Sequence, residues 1–234
     1  MLSEIKKYVK LASIRNLSAY FVPNKNMRCG MASLQRVDCF IDVGANLGEF
    51  VPKMSELASF EVAKTVYVEP DPRYAECYAN ILGKDASSFF EPVCITNYSG
   101  EVDFNIFENG AVNSLLKSDD KFGESQSLRV PCTTGSALIE KYALSAGDVN
   151  ILKIDVQGAE TIVLEGFENQ LDVFSYVIIE ITFADAYVGQ SEFLEILKHL
   201  DPSHVYAGNL SEVYSSDGPL DYMNAVFRNR RLSA

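Results

Sequence analysis

The run Asp42-Val43-Gly44-Ala45-Asn46-Leu47-Gly48 sets an acid and two glycines where an apolar stretch gives way to an amphipathic one. Gly44 and Gly48 lack a side chain, so the backbone there can turn sharply and lie against a ligand. The helix start that follows presents free N–H groups. Asp42, at the mouth, can accept hydrogen bonds from an ammonium or from ordered water, and Ala45 and Asn46 complete the loop. Glu69 stands at the end of the next apolar run, 21 residues after Gly48. In nucleotide-binding α/β folds an acid at this place holds both ribose hydroxyls. Asp71, two residues further on, is placed in the same cofactor-binding set. A dinucleotide site would carry G-x-G-x-x-G, whose second glycine makes room for a pyrophosphate. Asn46 occupies that position. S-adenosylmethionine (SAM) has no pyrophosphate, so the loop favours SAM over a nicotinamide dinucleotide.

A second constellation lies at Lys153-Ile154-Asp155-Val156-Gln157-Gly158-Ala159-Glu160, at the end of another apolar run. Ligands of doubly wound sheets bind at the carboxyl ends of the strands, which turns Asp155 and Glu160 toward the crevice that holds Gly44. Glu180 ends the following apolar run and joins them. One of these acids can take the proton of a hydroxyl as its oxygen attacks a methyl group, an effect worth roughly 10²–10⁴ in rate. Each has a plainer reading as well. Glu160 can serve the helix N-terminus by its charge. Asp155 can be a cofactor or structural contact, and Glu180 can pair with Lys153. No histidine or dense acidic motif accompanies the three, so no metal site is expected. His199 and His204 flank a late helix and strand and read as surface or capping residues.

These residues need a scaffold of alternating strands and helices. Strands are predicted over residues 37–43, 65–69, 88–95, 150–155 and 173–182, with helices over 47–60, 72–82, 134–144, 159–167 and 191–200. That alternation predicts βαβ units in a mostly parallel sheet. Extra strands over 102–107 and 128–132 surround a polar loop at 108–124, a natural place for substrate contacts. Strands at 204–208 and 222–229 close the chain, with a turn at 217–219. Residues 1–35 read as a helical extension, with Leu2, Ile5, Val9, Ala12 and Leu17 near helical spacing, and residues 36–234 as one catalytic domain. The extension could mediate a homodimer.

The formal net charge of −12 opposes binding to nucleic acid or an anionic membrane, both of which rest on Lys and Arg. No apolar run is long enough to span a bilayer. The five cysteines show no C-x-x-C spacing, so neither a disulfide framework nor a zinc site is indicated, and a reduced, cytoplasmic setting is expected.

Residues 38–183 resemble the FkbM family of SAM-dependent methyltransferases. The resemblance rests on FIDVGANLGEF, VEPDP with Asn80 in the helix beyond, SGEVDF, ILKIDVQGAE with VLEGF, and VIIEITF. It implies a Rossmann-like, doubly wound, seven-stranded sheet whose last strand is antiparallel. It also implies O-methylation of a sugar, glycan or natural-product hydroxyl. By the same resemblance the Asp42–Gly48 loop holds the methionine part of SAM and Glu69 its ribose. Asn97 would contact the adenine, and Asn113 and Ser114 the substrate. Two features depart from the family: Gln157 stands where the family usually has Glu, and Thr134-Gly135-Ser136 where it tends to carry a Leu-Asp pair. Gln157 cannot act as a base. An N-methyltransferase, a SAM-fold binding protein without catalysis, and a nicotinamide-dependent oxidoreductase are the other readings.

Overall fold

The strand Cys39–Val43 (β2) is buried at every residue, which is what a central parallel strand covered on both faces requires. It is preceded by the short β1 (Arg36–Val37) and followed by α1 (Phe50–Ala58), β3 (Glu61–Val62) and β4 (Thr65–Val68). Next come α2 (Ala75–Leu82), β5 (Ser88–Glu91), β6 (Cys94–Ile95), β7 (Gly100–Phe107), β8 (Ser125–Thr133) and α3 (Gly135–Lys141). The chain then runs through β9 (Asn150–Ile154), α4 (Glu160–Gly166), β10 (Tyr176–Thr182), α5 (Phe193–Leu200), β11 (His204–Tyr214) and β12 (Leu220–Asn229). This is a computed structural model, and it describes residues 31–118, 121–216 and 218–232. The helix expected in the N-terminal extension lies outside the described residues, apart from the turn Met31–Ser33 at its end.

Seven strands form the main sheet in the order β11-β12-β10-β9-β2-β4-β5. β5, β4, β2, β9 and β10 are mutually parallel, and β12 runs antiparallel to both of its neighbours. The expected seven-stranded sheet with an antiparallel last strand is therefore present. Strand order reverses between β2 and β9, so the ligand crevice of such a sheet opens at the carboxyl ends of these two strands. Val43 lies in register with Ile154 there, which brings Gly44 beside Asp155.

Apolar side chains cover both faces. Ile41, Val66, Leu152 and Ile179 pack with Leu138 of α3, Leu164 of α4 and Ile196 of α5. Phe40, Tyr67, Ile151 and Ile178 pack on the other face with Val51 and Met54 of α1 and Tyr78 of α2. Among the described residues no helix is long and apolar enough to cross a membrane.

The stretch predicted as one strand over residues 88–95 is two. β5 ends at Glu91, and Pro92 has no N–H to extend the ladder. β6 then leaves the main sheet and pairs with β8, which pairs with β7 in a separate three-stranded sheet. The insertion expected between the third and fourth core strands is thus a small sheet of its own. The departure at Thr134-Gly135-Ser136 has a local cause. Thr134 caps α3, its hydroxyl accepting from the Ala137 N–H at 3.2 Å. Gly135 faces the Phe167 ring, 2.5 Å from where a Cβ would stand.

Candidate active site

The turn after β2 is held in place by backbone bonds. The N–H groups of Gly44 and Ala45 both donate to the Val68 carbonyl, at 3.0 and 3.1 Å. Gly44, Asn46 and Gly48 all take left-handed φ values, 77°, 49° and 69°. Asparagine is among the few side chains that tolerate this region, so Asn46 fits where the dinucleotide pattern has glycine. Its backbone N–H donates to Glu69 Oε2 at 2.9 Å, and its carbonyl accepts from the Tyr78 hydroxyl at 2.7 Å.

Glu69 is 5% exposed. Its other oxygen accepts from the Asp71 N–H at 2.9 Å. Burial pushes its carboxyl up to about 7, against the pull of these two N–H bonds. Asp71 serves the frame: its carboxylate, fully buried, pairs with Arg73 at 2.6 Å and accepts from the Asn113 amide at 2.7 Å. Asn113 in turn accepts from the Phe107 N–H at 2.9 Å, and Arg73 donates to the Phe107 carbonyl at 3.0 Å. The insertion is thereby bolted across the carboxyl end of β4. At its far side Ser114 donates to the Gln157 carbonyl at 2.7 Å, and the Tyr187 hydroxyl donates to the Val112 carbonyl at 2.9 Å. Residues 107–116 form a strap over the crevice.

Under the strap lies a cavity of about 150 Å3 that opens to solvent at its mouth. Gly44, Asn46, Glu69, Asn113 and Asp155 of the expected site residues line it. Val93, Cys94, Ile95 and Phe104 supply an apolar wall. The sequence reading missed that wall, because the break at Pro92 hid which side chains of this stretch face inward. Asn97 is not in the lining: it lies exposed, donating to Glu165 at 2.8 Å. Asp42, Ala45, Gly48, Asp71, Ser114, Glu160 and Glu180 are also absent from the lining and stand behind it.

Asp42 and Glu180 join a polar network with Lys153, Asp155 and Gln157. Asp42 is not at the mouth but fully buried, and the ammonium it meets is that of Lys153, at 3.1 Å. Lys153 also reaches Asp155 at 3.3 Å and lies 4.9 Å from the centre of the Phe50 ring. Burial alone would lower the Lys153 ammonium, but Asp42 and Asp155 outweigh it and hold it above its ordinary value. Asp42 is raised by burial, with Lys153 opposing, and its Oδ2 is buried with no hydrogen-bond partner among the described residues. The alternative reading of Glu180 as a partner of Lys153 gives way to an amide bridge: Gln157 Nε2 donates at 2.8 Å to Asp155 and at 2.8 Å to Glu180. Glu180 is held well above the usual carboxylate range by burial, then by Asp155 and Glu160. Glu160 turns its carboxyl back to the Gly158 N–H at 2.9 Å, and burial pushes it up to about 7.

His204 is not a surface residue. It is 1% exposed, its ring bonded to the Phe174 carbonyl at 3.1 Å and to the Ser203 hydroxyl at 2.8 Å. Among the described residues no group of three or more His, Cys, Asp or Glu side chains is placed to hold a metal ion.

A crevice of this kind, at the switch point of a sheet with one antiparallel strand, defines the class I methyltransferases, whose cofactor is SAM. The Methyltransferase FkbM domain matches residues 42–207, and the chain belongs to that family. The 2-O-methyltransferase NoeI of Sinorhizobium fredii (strain NBRC 101917 / NGR234) is 27% identical over 170 residues, covering 67% of this chain and 68% of NoeI. The crystal structure of methyltransferase FkbM from Methylobacillus flagellatus KT superposes with a TM-score of 0.51 at 12% identity, covering 85% of this chain. This chain spans about half of that one, 47% of its length. The structure of M. capricolum TrmK with S-adenosylhomocysteine (SAH) gives a TM-score of 0.47 at 10% identity, covering 88% of this chain and 69% of TrmK.

Proposed function

We propose that this methyltransferase O-methylates a hydroxyl of a sugar, glycan or natural product, with Asp155 as the proton acceptor. The observation that carries the assignment of the base is a difference in placement. Asp155 alone of the three candidate acids lines the cavity shared with Gly44 and Glu69. The name of NoeI, a 2-O-methyltransferase, supports a hydroxyl as the acceptor.

The residues present fit SAM. The turn at Gly44 leaves the backbone bare against the cavity, Glu69 offers two oxygens for the ribose, and Val93, Cys94 and Ile95 suit the adenine. Bound there, SAM would supply an electrophilic methyl on its sulfonium, the C–S electron pair staying on sulfur to leave SAH as the acceptor oxygen takes the methyl. Asp155 receives the hydroxyl proton as that oxygen attacks. Lys153 holds the Asp155 carboxylate in place by the ion pair at 3.3 Å. The strap and Tyr187 cover the crevice, excluding water and fixing the line of attack.

The test is transfer of labelled methyl from SAM to a panel of mono- and oligosaccharides, followed by mapping of the methylated atom. The expected product is a methyl ether, and Asp155→Asn lowers kcat by about 10²–10⁴. A methylated amine as the product, or full activity of D155N, would overturn the assignment. SAH binding with no turnover on any acceptor would favour the reading as a binding protein.

A further inference from the structure

We propose that Gln157 is a positioning residue for the methyl-transfer step: its amide clamps Asp155 and Glu180 into one unit and ties that unit to the strap over the crevice. This rests on the methyltransferase reading above.

One amide nitrogen lies 2.8 Å from an oxygen of each carboxyl, so those two oxygens are held within two hydrogen-bond lengths of one another. Like charges that close repel strongly in a buried site. A carboxamide is neutral and carries two N–H donors, one for each acid, whereas a carboxylate in its place would carry none. The amide is fixed from a third side, where the Tyr187 hydroxyl lies 3.3 Å from its Oε1. Its backbone is fixed as well. Gln157 has φ 58°, an unfavourable region for this residue, followed by Gly158 at φ 94°. Strain of this kind persists only where the surroundings enforce it, and it gathers at functional sites. Here the Ser114 hydroxyl, donating to the Gln157 carbonyl at 2.7 Å, does the enforcing.

The groups facing the pair come from every element around it. They are Asp42 from β2, Lys153 beside Asp155 on β9, Glu160 from α4, and Tyr187 from the segment after β10. Lys153 is the one cation among them and is shared between Asp42 and Asp155. The Gln157 amide therefore supplies the donors that this single ammonium does not extend to Glu180. Glu180 acts through Gln157 on Asp155, and the acceptor hydroxyl meets an Asp155 whose orientation is set in advance.

The experiment follows the carboxyl carbons of Asp and Glu by 13C NMR across pH in the full chain, with D155N and E180Q used for assignment. Gln157→Glu keeps the shape, removes both donors and adds a charge. Gln157→Met removes the donors alone and serves if Q157E does not fold. The expected result is a rise of about one pH unit or more, tenfold in proton affinity, in the upper midpoint of the Asp155–Glu180 pair in either variant. Where an acceptor is in hand, the acid limb of the kcat profile moves with it. Midpoints within ~0.3 pH unit of the parent, a smaller difference than a lost charge-assisted bond produces, would overturn the clamp. SAH titration of the parent chain runs alongside. Failure to bind SAH would defeat the methyltransferase reading, while the carboxyl titration still decides whether Gln157 clamps the pair.

Discussion

Gly44 and Asp155 meet backbone to backbone: a Cβ on Gly44 would lie 1.9 Å from the Asp155 carbonyl oxygen. The turn after β2 is therefore packed directly on the chain that leaves β9. Gly44→Ala must push β2 and β9 apart at their ends and also hold a left-handed φ. We expect a loss of about 2–4 kcal/mol in stability, with SAH binding abolished even well below the melting temperature. Chemical denaturation and calorimetric titration on one preparation check both.

The role proposed for Glu69 in holding the ribose predicts a pH dependence of SAH binding. The folded pKa of Glu69, about 7, is above its ordinary value of 4.5, so the folded chain holds this proton more tightly than the unfolded chain. The group therefore favours folding below pH 4.5, and that contribution is lost as pH rises through 7. Ribose hydroxyls donate, so the ligand prefers the ionised form. SAH should bind roughly tenfold more weakly at pH 6 than at pH 8, as one pH unit below the pKa dictates. Glu69→Gln should bind weakly at both. An affinity for the parent chain that is flat across this range would refute the role.

The strap depends on Asn113, which joins Asp71 to the Phe107 N–H. Asn113→Ala leaves both buried partners short of a bond, a cost of about 1–3 kcal/mol. The expected signature is a faster release of SAH, seen by stopped-flow, with the association rate little changed.

His204 sets a limit on the acid side. Burial lowers its ring to about 4, so the unfolded chain binds this proton more readily than the folded one. Stability from this group is complete above pH 6.5 and is lost as pH falls toward 4, on the order of 2–3 kcal/mol. Glu69 works in the opposite direction over part of that range, so the comparison is with His204→Gln. The difference in unfolding free energy between the two proteins should narrow as pH falls from 7 to 4.5.

The order of strands was legible because β2, β4, β9 and β10 are buried runs of Val and Ile bounded by turn residues. Gly44, Glu69 and Asp155 were legible for a related reason: a parallel sheet puts its strand ends on one side, so a residue's place in the chain tells its place in the crevice. Spacing gave no guide to pairing or to which way a side chain turns. β11 runs to Tyr214, past the predicted end at residue 208, because polar Asn209, Ser211 and Glu212 break the apolar pattern at register shifts while the ladder to β12 continues. Asn97 follows the third strand as expected, yet β6 has already left the main sheet, which carries Asn97 to the surface. Gln157 looked like a lost acid in the sequence. Its worth as a double donor depends on Glu180 approaching from β10, and no local pattern encodes that.

The central claim is a SAM site made by the Gly44 turn and Glu69, and calorimetric titration with SAH tests it most directly. The account predicts one SAH per chain, binding at pH 8 with an affinity that Glu69→Ala weakens by about 10²-fold or more, the worth of a buried charge-assisted pair of hydrogen bonds. Absence of SAH binding by the parent chain, or equal binding by the E69A variant, would contradict it.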